Sequence, residues 1–425
     1  MNRRRAAAFL KRFIPGLAGD PPDLPPMYPG GMRLGIEEEH AVLEVLRNKR
    51  LFRYYGPHPG PSKADAFEAA FSATIGAPHC VATASGTSAL ITALSALGIG
   101  PGDEVIVPAY TWIASASAVV AVGAVPVVAD IDSSLTLDAD DVERKLSPYT
   151  KAIMPVHMRG APCHMDRLMD VARRHDLRVL EDVAQAAGGT FRGRSLGTIG
   201  DAGAFSFQFN KIITAGEGGM AVTGDAELHR RLLLFHDVGA AQRHGIPSSA
   251  ELPGLTLRMS ELQAAILLVQ LGKLDAILTD MRARQRQLRA LLASSGVEIE
   301  LRASHDPEGD TGLCLVFFAE SPSRAKAIVA GLRAARIWAL VLHDPAQPDY
   351  HVYTHWTAIV ERRAWSSNGG PWRHHPREVD YSAQACAASL GLLRRAVHID
   401  VSPELTHEQT DYIGNTLVKV LRSAE

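Results

Sequence analysis

A single lysine at the end of a strongly apolar segment could act as a reactive amine. Residues 204–210 read Ala-Phe-Ser-Phe-Gln-Phe-Asn, Lys211 follows, and a glycine-rich turn over 214–219 comes next. Water stabilises an ammonium group strongly, so burial lowers the pKa of a lysine and leaves a neutral amine suited to Schiff-base chemistry. The alternative is that the Lys211 side chain reaches solvent along the surface, as most lysines do. Lys211 is therefore a candidate nucleophile.

An acidic pair, Glu181 and Asp182, ends a second short apolar segment. In α/β sheets, ligands bind at the carboxyl ends of the strands, where a carboxylate can face a cationic atom of the ligand. Asp182 could equally cap a following helix, because aspartate is a favoured capping residue. The residues alone leave both interpretations open.

A turn of small residues, from Ala84 to Ser88, lies between a predicted strand and a predicted helix. The first backbone N–H groups of a helix have no acceptor within the helix, and Gly86 would let an anion approach them closely. Such a turn can hold a phosphate group, although serine and threonine there are also ordinary helix caps. The segment is therefore a candidate phosphate site.

These residues need a scaffold, and from about residue 80 to 225 short apolar strands alternate with amphipathic helices. The predicted strands are Cys80–Thr83, Val105–Val107, Val125–Val128, Ile153–Val156, Arg178–Leu180, Gly203–Phe207 and Gly219–Val222. The predicted helices, with two that precede this region, are Glu37–Asn48, Ala64–Ile75, Ala89–Leu97, Ser115–Val122 and Met165–His175. This alternation predicts an α/β domain with a mostly parallel central sheet.

The second half of the chain has a different pattern. One long helix, or a pair, is predicted over Leu255–Leu292, where leucines recur at helical spacing. Strands and helices then mix, at Leu313–Phe318, Ser323–Ala335 and Thr406–Leu421. We therefore divide the chain into a basic, proline-rich N-terminal tail (1–34), a large α/β domain (35–280) and a smaller C-terminal α+β domain (281–425).

Composition excludes several classes of protein. The 425 residues carry 44 lysines and arginines against 46 aspartates and glutamates, a net charge of −2, which removes the electrostatic argument for a nucleic-acid or anionic-membrane partner. With 46% hydrophobic residues the chain is not disordered. Four cysteines without a Cys-x-x-Cys pair predict a reducing, cytoplasmic compartment. Adjacent His374 and His375, and the Cys163-His164 pair, lack partners at ligand spacing, so no metal site is predicted.

Two segments superficially suggest membrane targeting. The arginines from Arg3 to Arg5 resemble an export signal, but Pro15 interrupts the apolar region that such a signal needs. The uncharged stretch Val105–Ala129 is long enough to cross a bilayer. Its prolines, glycine and serines favour instead a strand, a helix and a strand buried in one core.

Together, the small-residue turn, the acidic pair and the lysine segment, with Tyr110-Thr111-Trp112 between the first two, resemble the DegT/DnrJ/EryC1/StrS family. These proteins are sugar and cyclitol aminotransferases that depend on pyridoxal 5′-phosphate. The resemblance runs from about Gly35 to the C-terminus and is densest over residues 80–275. It implies a fold type I large domain, similar to that of aspartate aminotransferase.

The resemblance also implies a role for each matching residue. Lys211 would form the Schiff base with the cofactor and shuttle protons, and Asp182 would face the pyridine nitrogen. Gln185 would lie beside the ring hydroxyl and Trp112 would stack on the ring. Gly86, Thr87 and Ser206 would bind the phosphate.

The segment Leu257–Ala265 resembles the family segment that reaches the cofactor phosphate of the neighbouring subunit, which implies a homodimer with shared active sites. The family commonly has asparagine where this chain has Thr256, so Arg258 or Thr256 is predicted to make that contact.

Some positions resemble one branch of the family. Gln208 and Ala187 stand where many members have histidine, and glutamine at 208 resembles the branch that aminates keto-inositols with glutamine. Two late segments, His351–Trp356 and Gly370–Trp372, resemble the same branch and are predicted to border the substrate.

The resemblance therefore implies transfer of an amino group from L-glutamine or L-glutamate to a keto-cyclitol or keto-sugar, in amino-sugar, aminocyclitol antibiotic or other secondary metabolism. One alternative is a dehydratase or aromatising synthase on the same fold. The related sugar 3-dehydratases have histidine at the position of Lys211, which favours transamination here. The other alternative is a non-catalytic, cofactor-binding regulator, but the arginine-rich tail is too short for a DNA-binding module.

Overall fold

The computed structural model describes residues 22–57, 61–344 and 348–423, so the arginine-rich start of the tail lies outside the described residues. The strands are β1 (His79–Thr83), β2 (Glu104–Pro108), β3 (Val125–Ala129), β4 (Thr150–Ile153), β5 (Arg178–Asp182), β6 (Thr190–Phe191), β7 (Arg194–Ser195), β8 (Ala202–Ser206), β9 (Gly219–Thr223), β10 (Glu300–Leu301), β11 (Cys314–Phe318) and β12 (Ala396–Asp400). The α-helices are α1 (Ile36–Asn48), α2 (Lys63–Ile75), α3 (Gly86–Ala96), α4 (Ala114–Ala121), α5 (Ala139–Lys145), α6 (Met165–Arg174), α7 (Ala226–His236), α8 (Ala240–Arg243), α9 (Glu261–Ser294), α10 (Pro322–Ala334), α11 (Thr357–Val360), α12 (Ala387–Arg395) and α13 (His407–Ser423).

The central sheet has the predicted, mostly parallel form. Within the described ranges, seven strands pair in the order β1-β9-β8-β5-β4-β2-β3, and only β9 runs antiparallel to its neighbours. The uncharged stretch Val105–Ala129 forms β2, α4 and β3, as predicted, and both strands are wholly buried. Because β5 and β8 are parallel neighbours with Asp182 opposite Ala204, the ends of both strands meet at one edge of the sheet.

Four aromatic side chains anchor the strand that leads to the lysine. Phe67 and Phe71 lie on one face of α2 and meet Phe205 and Phe207 edge to face, with ring centroids 5.4 Å (Phe67–Phe207) and 4.9 Å (Phe71–Phe205) apart. All four rings are buried. Each contributes about 1.5–3 kcal/mol through burial, so β8 is firmly held where the chain leaves the sheet.

A smaller core surrounds a second sheet, β10-β11-β12, which α10 and α13 cover. Helix α9 joins the two cores because it packs against α1 and α2 on one side and α13 on the other. By length and composition α9 could cross a membrane, but its buried leucines, such as Leu267 and Leu274, make it a central helix of the fold. It runs continuously through residue 280, so the division of the chain there stays a prediction.

Two predicted elements differ from the structure. The strand predicted over Ile153–Val156 is β4, which ends at Ile153, because Pro155 has no N–H group for the ladder. The helix predicted from Leu255 begins only at Glu261. Residues 255–259 are extended instead, and the amides of Leu255 and Leu257 donate to carbonyl groups at the end of α7.

Candidate active site

Lys211 lies in a tight turn between β8 and β9. The Phe207 amide donates to Gly218 O (2.8 Å), the Phe209 amide to Gly216 O (3.0 Å) and the Lys211 amide to Gln208 O (2.9 Å). These backbone bonds make the turn a short hairpin extension of the antiparallel β8–β9 pair. Gln208 therefore shapes the turn through its backbone, and its side-chain Oε1 also accepts from the Asn210 amide (2.9 Å).

The surroundings of the lysine favour a neutral amine. Burial lowers the pKa of Lys211, the nearby charge of Arg159 lowers it further, and the carboxylate of Asp182 opposes both effects. A larger fraction of the amine is therefore unprotonated near neutral pH than for a lysine in water. This is the state that a nucleophile or a general base requires.

Asp182 is buried at the end of β5 and belongs to a chain of hydroxyl groups. Its Oδ2 accepts from Ser115 Oγ (2.8 Å), which is 2.8 Å from Thr111 Oγ1, and its Oδ1 accepts from the Ala184 amide (3.0 Å). No helix begins within residues 183–189, so the capping alternative is wrong. Burial raises the pKa of Asp182, and Lys211 offsets part of that shift. The carboxylate thus lacks a full countercharge within the protein.

His157 and Glu181 form a buried pair next to Asp182, and the His157 amide donates to the Asp182 carbonyl. The ring of His157 accepts from the Cys163 amide at Nδ1 (3.1 Å), so Nε2 carries the proton and donates to Glu181 (3.0 Å). Glu181 also accepts three backbone amides, from Gly197, Ile199 and Gly200. The two acidic residues therefore have different roles. Glu181 fixes the backbone of residues 197–200, and Asp182 faces the site.

The small-residue turn and Ser206 come together as the phosphate prediction requires. Ser85 caps α3 by accepting from the Ser88 amide (3.1 Å), which leaves the amides of Gly86 and Thr87 at the open helix start. A Cβ on Gly86 would lie only 2.6 Å from Ser206 Cβ. Any side chain at position 86 would therefore collide with Ser206, and the glycine is what lets the serine pack against the start of the helix.

Gln185 and Trp112 contact a histidine from the C-terminal half of the chain. His351 lies 3.2 Å from Gln185 Nε2 through its Nε2, and its Nδ1 lies 2.6 Å from Asp349 Oδ1. Since the side-chain amide of Gln185 donates, His351 accepts at Nε2 and donates a hydrogen bond from Nδ1 to Asp349. The Trp112 ring is half-exposed, with its centroid 5.0 Å from that of His351. His351 thus borders the site, as predicted.

The other predicted residues lie farther away. Arg258 donates from Nη1 to the buried Asp237 (2.5 Å) and lies over the Phe52 ring, while Thr256 is exposed. The structure describes one chain, so their predicted contact with a neighbouring subunit stays a prediction.

Trp372 donates to the Tyr381 hydroxyl, which donates to Pro126 O near the start of β3. Within one chain, Gly370–Trp372 therefore lies near the start of β3, and its predicted place beside the substrate stays a prediction.

Sequence reasoning missed Ser115, His157 and Arg159. Each is polar within an apolar context, and the last two stand in Pro-Val-His-Met-Arg-Gly (155–160), just after a predicted strand. That position was the available signal, because strand ends of this kind carry functional side chains. Ala187, which stands where many family members have histidine, is buried, and its methyl side chain has no group that could form a hydrogen bond in the site.

Among the described residues, one group has the spacing for a metal ion, formed by Asp130, Asp141 and Cys386. Both carboxylates already accept hydrogen bonds, Asp130 from Ser389 and Asp141 from the Asp130 amide. The group lies outside the site described above.

The segment before α1 lies across the lysine turn. A Cβ on Gly30 would lie 1.5 Å from Phe209 O, the Tyr28 ring packs edge to face against Phe209, and Met27 is buried in the smaller core. This segment therefore ties the smaller core to the turn two residues from Lys211.

Replacing Gly30 with alanine is expected to lower the free energy of unfolding by about 1–3 kcal/mol, because the new methyl group must displace the turn. Denaturant unfolding measures the effect. The matched control is Gly224→Ala, where a Cβ would meet nothing within 4 Å. Equal stability of the two variants would contradict the close approach of Gly30 to Phe209.

Comparison with known proteins shows which sequences this chain is similar to. A model of the DegT/DnrJ/EryC1/StrS aminotransferase family matches residues 33–367. An L-glutamine:2-deoxy-scyllo-inosose aminotransferase of Streptoalloteichus tenebrarius is 41% identical over 311 residues, which cover 71% of this chain and 72% of that protein. A GDP-perosamine synthase of Caulobacter vibrioides is 48% identical over 223 residues, 52% of this chain and 58% of that protein.

Solved structures share the fold over nearly the whole chain. A 3-amino-5-hydroxybenzoic acid synthase is 27% identical with a TM-score of 0.78, covering 95% of this chain and 100% of that one. The DesV protein of S. venezuelae, solved in complex with a ketimine intermediate, is 33% identical with a TM-score of 0.72, covering 92% and 94%.

Proposed function

The chain belongs to the DegT/DnrJ/EryC1/StrS aminotransferase family, and on that basis we propose that it transfers an amino group from L-glutamine or L-glutamate to a keto-cyclitol or keto-sugar with the help of pyridoxal 5′-phosphate. The observation that carries the proposal is the placement of Lys211 and Asp182. They follow or end neighbouring parallel strands, and each influences the pKa of the other. The glutamine-dependent, cyclitol-specific relatives support the choice of donor and acceptor.

The residues of the site fit the proposed cofactor. An aldehyde requires an amine of lowered pKa, which Lys211 offers, and a protonated ring nitrogen requires a buried carboxylate, which Asp182 offers. A side chain at position 86 would collide with Ser206, so the glycine lets the Ser206 hydroxyl lie directly beside the start of α3, where the hydroxyl and the free helix amides could bind a phosphate together.

When pyridoxal phosphate is bound, the chemistry available in the site is electron storage in its ring and reversible storage of an amino group at its aldehyde carbon. The protein's own residues supply the rest. Lys211 Nζ would take the proton from the donor's α-carbon and deliver it to the carbon of the cofactor's former aldehyde group, which its lowered pKa permits. Asp182, held by Ser115 and Ala184, orients the ring and keeps its nitrogen charged.

Two side chains would complete the enclosure of the ring. The indole of Trp112 would cover one face and shield the reacting atoms from water, contributing about 0.5–1.5 kcal/mol. Gln185, which is fixed between the Arg159 amide and His351, would donate to the hydroxyl oxygen of the cofactor ring. The His351–Asp349 pair thereby sets the orientation of that amide.

The function is tested with purified protein, pyridoxal phosphate, L-glutamine and a panel of keto-cyclitols and keto-sugars. We expect equal amounts of 2-oxoglutaramate and an aminated cyclitol or sugar by mass spectrometry.

A dehydratase or aromatising synthase is the second candidate, which the likeness to 3-amino-5-hydroxybenzoic acid synthase favours. Loss of water from the ketone without consumption of the donor would establish that candidate instead.

We also propose that the enzyme is a homodimer with shared active sites. Exposed apolar side chains flank Arg258 and its contacts. Leu51 and Tyr55 neighbour Phe52, over whose ring Arg258 lies, Val238 follows its partner Asp237, and Leu255 stands three residues before Arg258. Monomers seldom leave such a surface in water, so a second copy would cover it.

Hybrid dimers provide the test of shared sites. Lys211→Ala and Arg258→Gln subunits, each inactive alone, are expected to regain about a quarter of wild-type activity after unfolding, mixing and refolding, because a hybrid keeps one site with both residues intact. Light scattering of the wild type is expected to give the mass of a dimer. If Arg258 instead served its own subunit, the mixture would stay inactive, and full activity of Arg258→Gln alone would remove its role altogether.

A further inference from the structure

Arg159 occupies a backbone conformation that side chains seldom adopt. It lies in a short turn, Met158–Gly160, with φ 52° and ψ 42°, and Gly160 follows with φ 79°. A left-handed conformation is strained for an arginine, and such residues persist only where their surroundings hold them in place.

Contacts on both sides hold this turn. Arg302 donates to Met158 O (3.2 Å) and to Arg159 O (3.4 and 3.5 Å), and its own charge is paired with Asp310. On the other side, the Arg159 amide donates to Gln185 Oε1 (3.3 Å). The buried Arg302 and the partly buried Gln185 therefore maintain an unfavourable backbone geometry, and the result is a defined direction for the Arg159 side chain.

The guanidinium of Arg159 is only partly used by the protein. Its Nη1 donates to Asp400 Oδ1 (2.7 Å), the side chain is 14% exposed, and its Nε finds no acceptor among the described residues. A guanidinium has five N–H donors in a planar fork, so the Asp400 oxygen and the neighbouring Tyr110 hydroxyl still leave some of them available.

The charge of Arg159 acts on the site itself. It lowers the pKa of the Lys211 amine and of His351. Arg258 is held by Asp237, and Arg302 is held by Asp310, so Arg159 is the cation near Lys211 with donors to spare in the described part of the chain. A buried charge pair with Asp400 alone would add little stability.

We propose that Arg159 binds the α-carboxylate of the amino-acid donor, an inference that rests on the proposed function. A carboxylate one bond from the reacting α-carbon would be fixed by the guanidinium while Lys211 reaches the carbon itself. A cyclitol has no carboxylate, so the acceptor half of the reaction would not use this contact. Arg159 would thereby distinguish the two substrates that share one site.

The test compares donors with and without the carboxylate. Arg159→Gln is expected to raise the KM for L-glutamine about 30-fold or more, since charge-assisted hydrogen bonds to the carboxylate are lost. The KM for the aminocyclitol product, used as donor in reverse, should change less than about 3-fold. Arg159→Lys keeps the charge and the pair with Asp400 but loses the fork, so an intermediate KM is expected. Arg173→Gln, an exposed arginine on α6, is the matched control.

A binding measurement adds a readout that does not depend on turnover. In a Lys211→Ala background, calorimetry should show that 2-oxoglutaramate binds at least about 10-fold more weakly once Arg159 is glutamine. Equal losses for glutamine and aminocyclitol, or unchanged binding of 2-oxoglutaramate, would overturn the inference. A wild-type enzyme that converts neither L-glutamine nor L-glutamate would instead overturn the proposed function.

Discussion

Lys211→Ala is expected to lower kcat at least about 1000-fold and to abolish the visible absorbance of the Schiff base between the lysine and the cofactor. In the proposed function the Lys211 amine is both the covalent attachment point and the group that moves the proton, and no other lysine follows β8 in the turn. Single-turnover kinetics with L-glutamine and absorbance spectra measure the two effects. Borohydride reduction and peptide mass spectrometry then locate the attachment.

The variant should remain folded, and removal of the buried amine should raise the free energy of unfolding of the cofactor-free protein. The folded pKa of Lys211 lies below its unfolded value, so the unfolded chain binds more protons and the buried amine destabilises the fold below the unfolded pKa. Lys211→Met without cofactor is therefore expected to unfold at a higher temperature at pH 7, whereas Lys151→Ala, at an exposed strand position, should change little. Cofactor mass found on another lysine peptide would contradict the assignment.

The sequence predicted most of the scaffold because its elements are locally encoded. Phe67 and Phe71 repeat on one helical face, and the strands of the central sheet are short apolar segments between turns. Ser85 placed the start of α3 three residues before the predicted Ala89, which shows that the cap determined that boundary rather than the apolar pattern.

The contacts between distant segments could not be predicted in the same way. His351 stands in a segment without clear periodicity, yet its carbonyl accepts the Thr111 amide (2.9 Å) and its ring reaches Gln185. Such pairings depend on how the two cores are joined by α9, which no local pattern encodes. The left-handed backbone at Arg159 is also a tertiary effect, because Arg302 and Gln185 impose it from outside the turn.

Asp182 shows how the two levels combine. Its place at the end of a strand follows from sequence, but its raised pKa depends on burial, on the Ser115 hydroxyl and on the distance to Lys211. Because its folded pKa lies above its unfolded value, the carboxylate destabilises the cofactor-free fold as pH rises through that interval. A positively charged ring nitrogen would supply the missing countercharge.

Asp182→Asn is therefore expected to keep the cofactor but to lower kcat about 100-fold or more, because a neutral amide cannot hold the ring nitrogen in its charged form. Stopped-flow absorbance with L-glutamine measures the rate, and fluorescence titration measures the cofactor affinity. Without cofactor the variant should unfold at a higher temperature than the wild type at pH 7, and added cofactor should raise its melting temperature less. The exposed Asp166→Asn is the control. Undiminished kcat, or an equal thermal shift on cofactor binding, would show that Asp182 does not face the ring nitrogen.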